Sequence, residues 1–296
     1  MLKIRIITAL MMLPIVLVAL FMFPDWAWDI FTLVITLVAC WEWSRFCPFK
    51  AANAARPAKA DSKMGKLIYF VISALISALI FFAYLQAHAA DYPAFRQLAL
   101  WGCAISAVFW FFIAPLWLSR SWRPPSAAIA AITGWVVIFP TWLALLVLHD
   151  RSPWLLLTFA LIVWVADVAA YFSGKAFGKH KLAPTISPSK TIEGVIGGLA
   201  GVTLYFFLWQ IWAHQTWARG ETWMLELTGQ GGWLWGFFML LAVASVLGDL
   251  FESWMKRGVG MKDSSHLLPG HGGILDRIDA LTSTLPVAGL YMMLVF

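Results

Sequence analysis

The chain has 296 residues, 61% of them hydrophobic and 12% charged, with a formal net charge of +6. Soluble domains average about 45–50% apolar and about 25% charged residues, so an ordinary soluble fold is excluded. The apolar segments are continuous, whereas strands of a membrane barrel would alternate over roughly ten residues; the expected fold class is therefore all-α, a polytopic integral membrane protein.

A bilayer core takes about 20 consecutive apolar residues per helix. Nine spans can be placed, roughly over 6–23, 26–46, 67–88, 95–118, 126–148, 154–173, 193–213, 232–255 and 278–296. The first follows Lys3 and Arg5. A signal peptide would end in a small-residue cleavage site, but Pro24, Asp25 and Trp26 follow, so a retained helix is expected. Glu42, near the end of the second span, is the main ionisable residue in the helices before residue 150. The Ala-rich stretch 51–60 that comes next belongs to a basic connection suited to anionic headgroups. Trp26, Trp28, Trp41, Trp43, Trp122 and Trp154 lie near helix ends, where interfacial belts are expected.

Lys and Arg set orientation. With the N-terminus cytoplasmic, nine spans put 18 of the 21 basic residues on the cytoplasmic side. These are Lys3, Arg5, Arg45, Lys50, Arg56, Lys59, Lys63, Lys66, Arg120, Arg123, Lys175, Lys179, Lys181, Lys190, Lys256, Arg257, Lys262 and Arg277; Arg96, Arg151 and Arg219 fall outside. The positive charge is thus a topological bias, and no nucleic-acid partner is expected. Cys40, Cys47 and Cys103 form neither a CxxC pair nor a Cys/His cluster, so neither a disulfide framework nor a zinc site is suggested.

The chain divides by content into 1–150, N-terminal helices with few ionisable groups, and 151–296, where polar and charged groups gather in a candidate catalytic part. Asp167 sits in one apolar run, and Asp249 and Glu252 in another. Carboxylates at membrane depth are costly and mark functional positions by default. Between the sixth and seventh spans, Ser187, Lys190 and Thr191 precede a helix with Glu193 in its first turn, an N-terminus able to hold phosphate. Glycines 194, 197 and 198 permit close backbone approach there. Asp249, Glu252, Ser253 and Lys256 form one stripe at the end of the eighth span, and Asp276 and Asp279 share a face at the start of the ninth. The glycine-flanked loop between them carries Lys262, Asp263 and His271.

Asp249, Asp276 and Asp279 can converge as a hard oxygen site suited to Mg²⁺. Lys256, Arg257, Lys262 and Arg277 supply cations for phosphates. Together they point to phosphoryl or nucleotidyl transfer in a cavity facing the cytoplasm. No GxSxG, HExxH or helix-opening GxGxxG supports a hydrolase, zinc-protease or dinucleotide reading.

The run from Ser253, Lys256 and Arg257 through Lys262-Asp263, Pro269-Gly270-His271-Gly272-Gly273, Asp276-Arg277 and Asp279 closely resembles the motif of phosphatidate cytidylyltransferases, or CDP-diacylglycerol synthases. The resemblance covers about residues 160–285, with SPSKTIEG and GDLFES included. It implies a multi-helix enzyme of the bacterial inner membrane, usually a homodimer, that uses CTP, phosphatidate and Mg²⁺ and releases pyrophosphate, with room for K⁺ as a second cation. It further implies Asp249, Asp276 and Asp279 as metal ligands and, with Lys256, as catalytic residues. The substrate-binding set is then Ser187, Lys190, Thr191, Glu193, Ser253, Arg257, Lys262, Asp263, His271 and Arg277. Two rivals differ in product or placement. A CTP-dependent lipid kinase would release CDP, and a transporter would carry its carboxylates at midplane on repeat-related broken helices.

Overall fold

The computed structural model describes residues 2–48, 62–90, 93–122, 124, 126–215 and 222–295. Lys50, Arg56, Lys59, the stretch 51–60, Arg123 and Arg219 lie outside the described residues. In chain order the elements are α1 (Leu2–Met22), α2 (Asp25–Trp43), α3 (Lys63–Ala90), α4 (Pro93–Val108), a π turn (Phe109–Ile113), α5 (Ala114–Ser119), α6 (Ala127–Arg151), α7 (Pro153–Phe177), β1 (Lys181–Ala183), β2 (Ser187–Thr191), α8 (Ile192–Ala213), α9 (Thr222–Thr228), α10 (Gly232–Gly258) and α11 (Leu275–Val295). With α4, the π turn and α5 counted as one segment, eight segments among the described residues are long and apolar enough to cross a membrane. Helix α1, whose described side chains cover Leu10–Met22, stands where the first of the nine expected spans was placed. The fold is all-α and polytopic, as its composition requires.

Local chemistry sets the breaks. Pro115, two residues past the π turn that interrupts the fourth span, lacks an N–H. Ser152 is extended (φ −172°, ψ 134°) and serves both helices it joins: it ends α6, and its Oγ accepts the Trp154 N–H at 3.2 Å to open α7 with Pro153 in the first turn. The connection from α7 to α8, read from sequence only as a polar segment, folds as an antiparallel hairpin of β1 and β2. Pro184 and Pro188 disfavour helix there, and the Ile186 N–H closes the turn on the Ala183 carbonyl at 3.1 Å.

The helices alternate, so their ends sort into two groups. At one end Trp43 Nε1 donates to the Ala130 carbonyl at 2.9 Å, and Tyr69 stacks on Trp135. At the other, the Tyr84 hydroxyl donates to Asp150 at 2.8 Å and lies 3.1 Å from Asp29, while Phe21 packs on Trp154. Among the described residues, the first group carries the basic residues that charge bias assigns to one side. Two of the six belt tryptophans are instead inside the bundle: Trp28 stacks on His149, and Trp43 is fully buried. Trp26, Trp41, Trp122 and Trp154 do face outward.

Helices α7 and α8 pack through small residues, the usual means of close approach where lipid supplies no hydrophobic drive. A Cβ at Gly194 would lie 3.0 Å from the Ala170 carbonyl oxygen, and one at Gly198 3.1 Å from that of Ala166. The glycines singled out in sequence therefore bring the backbone of α8 onto α7, one wall of the site described next.

Candidate active site

The site lies where the ends of α7 and α10 meet the starts of α8 and α11. Its open part is a cavity of about 400 Å³. Asp167 and Tyr171 of α7, Ser189, Lys190 and Thr191 of β2, and Asp249 of α10 are among its lining residues. Ala166, Ala170, Leu199, Ala242 and Val246 make the rest of the wall largely apolar. Across it, Lys190 Nζ meets Asp249 Oδ2 at 2.6 Å, both side chains half-buried. Ser253, one turn on, donates to the other Asp249 oxygen at 3.3 Å. Thr191 caps α8, its Oγ1 accepting the Gly194 N–H at 3.1 Å.

Behind the cavity lies a second, closed region. Lys256, 7% exposed, is held between Glu252 and Asp276, meeting the Asp276 Oδ1 at 2.5 Å. The other Asp276 oxygen accepts from the Ser264 N–H (2.8 Å), the Ser264 hydroxyl (2.8 Å) and the Gly273 N–H (2.7 Å). The loop between α10 and α11 turns through Gly260, Gly270 and Gly272, all at positive φ (72°, 77° and 79°), a conformation glycine adopts without strain. The His271 N–H closes on the Leu268 carbonyl at 2.9 Å. Arg257, Lys262 and Arg277 are exposed around this loop, and Asp263 is half-buried. Arg257 donates to the Met261 carbonyl at 3.0 Å.

Several residues stand elsewhere than the sequence suggests. Lys256, expected to face a triphosphate, is enclosed by two carboxylates. Ser187 pairs with Ala183 in the hairpin and is not among the cavity-lining residues; Ser189 is. Glu193 accepts the His180 N–H at 3.2 Å and meets His180 Nδ1 at 2.6 Å, so it fastens the hairpin's base. The three aspartates expected around a metal are not gathered: among the described residues, no three His, Cys, Asp or Glu side chains are grouped to hold one. Asp276 is already filled by protein donors.

Asp249 and Asp279 fit a cation better. Asp279 lies within electrostatic range of Asp249 and Lys256. Asp167 is likewise within electrostatic range of Asp249 and Lys190. Neighbouring carboxylates that offer only oxygen donors are what a hard divalent cation takes.

Glu42 is the residue whose part the sequence did not reveal. It is fully buried at this end of α2 and contacts the α10–α11 loop. Its one signal was a carboxylate near the end of a mostly apolar helix; its partners lie more than two hundred positions away.

A model of the cytidylyltransferase family matches residues 3–295. A phosphatidate cytidylyltransferase of Pseudomonas aeruginosa is 35% identical over 289 residues, covering 97% of this chain and 95% of its own. One from Haemophilus influenzae is 34% identical over 97% of this chain and 96% of its own, and one from Staphylococcus aureus is 45% identical over 140 residues, 45% of this chain and 46% of its own.

Proposed function

Because this chain belongs to the cytidylyltransferase family, we propose that it transfers the cytidylyl group of CTP to phosphatidate, giving CDP-diacylglycerol and pyrophosphate. The observation that carries this reading is the cavity: apolar walls suited to a lipid, with Lys190, Thr191 and the Lys190–Asp249 pair at its polar end. A phosphatidate oxygen attacks the α-phosphorus in line, the bond from that phosphorus to the α,β-bridging oxygen breaks, and pyrophosphate leaves. The attacking oxygen is already anionic, so alignment and charge neutralisation, not a strong base, are what the protein supplies.

Lys190 would receive a phosphate when its pair with Asp249 opens, beside the N-terminus of α8. The exposed Arg257, Lys262 and Arg277 surround the loop that would take the triphosphate, with His271 donating beside them. Asp249 and Asp279 would hold Mg²⁺; when bound, it supplies charge neutralisation on the phosphates. A monovalent cation such as K⁺ would add to the same neutralisation. Lys256 and Asp276 act from behind, as the buried pair that ties α10 to α11, and Glu193 holds the hairpin in place.

The distribution of Lys and Arg supports an inner-membrane enzyme with this end in the cytoplasm, where CTP is. The family resemblance supports a homodimer. A product assay tests the reading, using purified chain in detergent, phosphatidate, Mg²⁺ and CTP labelled separately at the α- and γ-phosphates, beside Asp279→Asn. α-Label should enter lipid and γ-label should leave as pyrophosphate, and both should be lost in the variant. γ-Label in lipid would make the protein a kinase instead.

A further inference from the structure

Glu42 belongs to the amino-terminal helices, yet it is anchored to the far end of the chain. One carboxylate oxygen accepts from the Ser265 hydroxyl at 2.5 Å and the Ile274 N–H at 3.0 Å. The other accepts the Leu275 N–H at 2.7 Å and lies 3.1 Å from the Ser264 hydroxyl, whose one proton it shares with Asp276. The two amides are the free donors at the start of α11, which a buried anion satisfies and whose dipole favours it. One turn on, Arg45 donates to the Ser264 carbonyl at 2.7 Å. A Cβ at Gly273 would run into both Glu42 and Ser264, so the chain leaves room for this carboxylate.

We infer that Glu42 is a positioning residue for nucleotidyl transfer: through Ser264, Ser265 and the first amides of α11 it fixes the segment 262–276 that would receive the triphosphate. The inference rests on the phosphatidate cytidylyltransferase reading. The contacts of Glu42 serve positioning and not general packing. Helix α2 is already docked by Trp43 on the Ala130 carbonyl and by Trp142 Nε1 on Thr32 at 3.2 Å. Glu42 adds nothing to those contacts; its carboxylate is bonded to the loop and to the start of α11. Ser264 is the shared element, its hydroxyl lying between Glu42 and Asp276, and so Glu42 reaches the Lys256–Asp276 pair through one hydroxyl. The open cavity, made by α7, β2, α8 and α10, has no residue in common with this network.

Glu42→Gln is nearly isosteric but puts an NH₂ where an oxygen now accepts, and leaves a donor facing a donor. The experiment compares wild type, Glu42→Gln, Ser265→Ala and the double variant, each purified in detergent and checked by thermal unfolding. Initial rates are taken against CTP at saturating phosphatidate and the reverse. In Glu42→Gln, kcat/KM for CTP should fall about a hundredfold while KM for phosphatidate stays within about twofold. Ser265→Ala should lose about tenfold, and the double variant should be no worse than Glu42→Gln, since residues acting as one unit are non-additive. Hydrogen exchange gives a readout independent of turnover: the amides of 264–275 should exchange about tenfold faster in Glu42→Gln, with those of α6 unchanged. If wild type makes no CDP-lipid, the functional reading falls while the exchange arm still judges the loop contact. Wild-type CTP kinetics in a folded Glu42→Gln, or equal losses for both substrates with additive effects in the double variant, would overturn the inference. Should Glu42→Gln not fold, Ser265→Ala alone decides, by the same split between CTP and lipid.

Discussion

The two sides of the site treat their carboxylates differently. On the α11 side, Asp276 takes a lysine and two amides and Glu42 takes the Ser265 hydroxyl and two amides, with the Ser264 hydroxyl shared between them, all away from water. On the α8 side, Asp249 has one lysine from a short hairpin and one long hydroxyl contact, and it lines an open cavity. Identical side chains so disposed do different work. A filled, buried carboxylate cannot exchange partners without breaking the fold, whereas a half-buried one held by a single flexible lysine can release it to a cation or a phosphate.

The comparison can be broken at either side, and the largest effect is expected on the closed one. Asp276→Asn leaves Lys256 short of a charge and turns an amide group toward N–H donors. The loss of stability should be about 3–5 kcal/mol, as for breaking a buried pair, and thermal unfolding in detergent measures it. A stable but inactive Asp276→Asn would move this residue to the open side. Asp249→Asn should do the reverse, lowering kcat about a hundredfold while the unfolding temperature stays close to wild type. If it unfolds the protein instead, the Lys190 pair is structural and the contrast fails. Gly198→Val tests the α7–α8 wall of the open cavity: with the Ala166 carbonyl 3.1 Å from a Cβ there, overpacking should cost about 1–3 kcal/mol and raise KM for lipid before it alters KM for CTP. Glu193→Gln should be the mildest, changing kcat/KM by about twofold; a loss as large as that of Asp249→Asn would bring Glu193 to the substrate after all.

Much of this was legible in the chain. Apolar run length places the spans, because a bilayer demands it, and the alternation of basic connections anticipates which helix ends meet. The stripe from Asp249 to Lys256 is helical periodicity, and it does lie on one face. What periodicity could not tell is which neighbour that face meets. Lys256 turns toward Asp276 on α11, and Asp249 toward Lys190 in the hairpin, from the same stripe. Trp28 and Trp43 sit at helix ends as belt residues do, but an end position does not decide between lipid and bundle; the partners His149 and the Ala130 carbonyl do. Glu42 shows the same limit most fully, since a carboxylate in an apolar helix announces a partner without naming it.

The span between Glu42 and its donors also concerns the order in which the protein is made. Synthesis delivers α2 early, yet Ser264, Ser265 and the amides of α11 come 222 and more residues later. An emerging chain folds from its N-terminal side first, so this carboxylate must wait for its donors until nearly everything else has been made. The closed side of the site is therefore completed last, and a nascent chain that stops within α10 carries Asp249 and Lys190 but has no means of becoming a working enzyme.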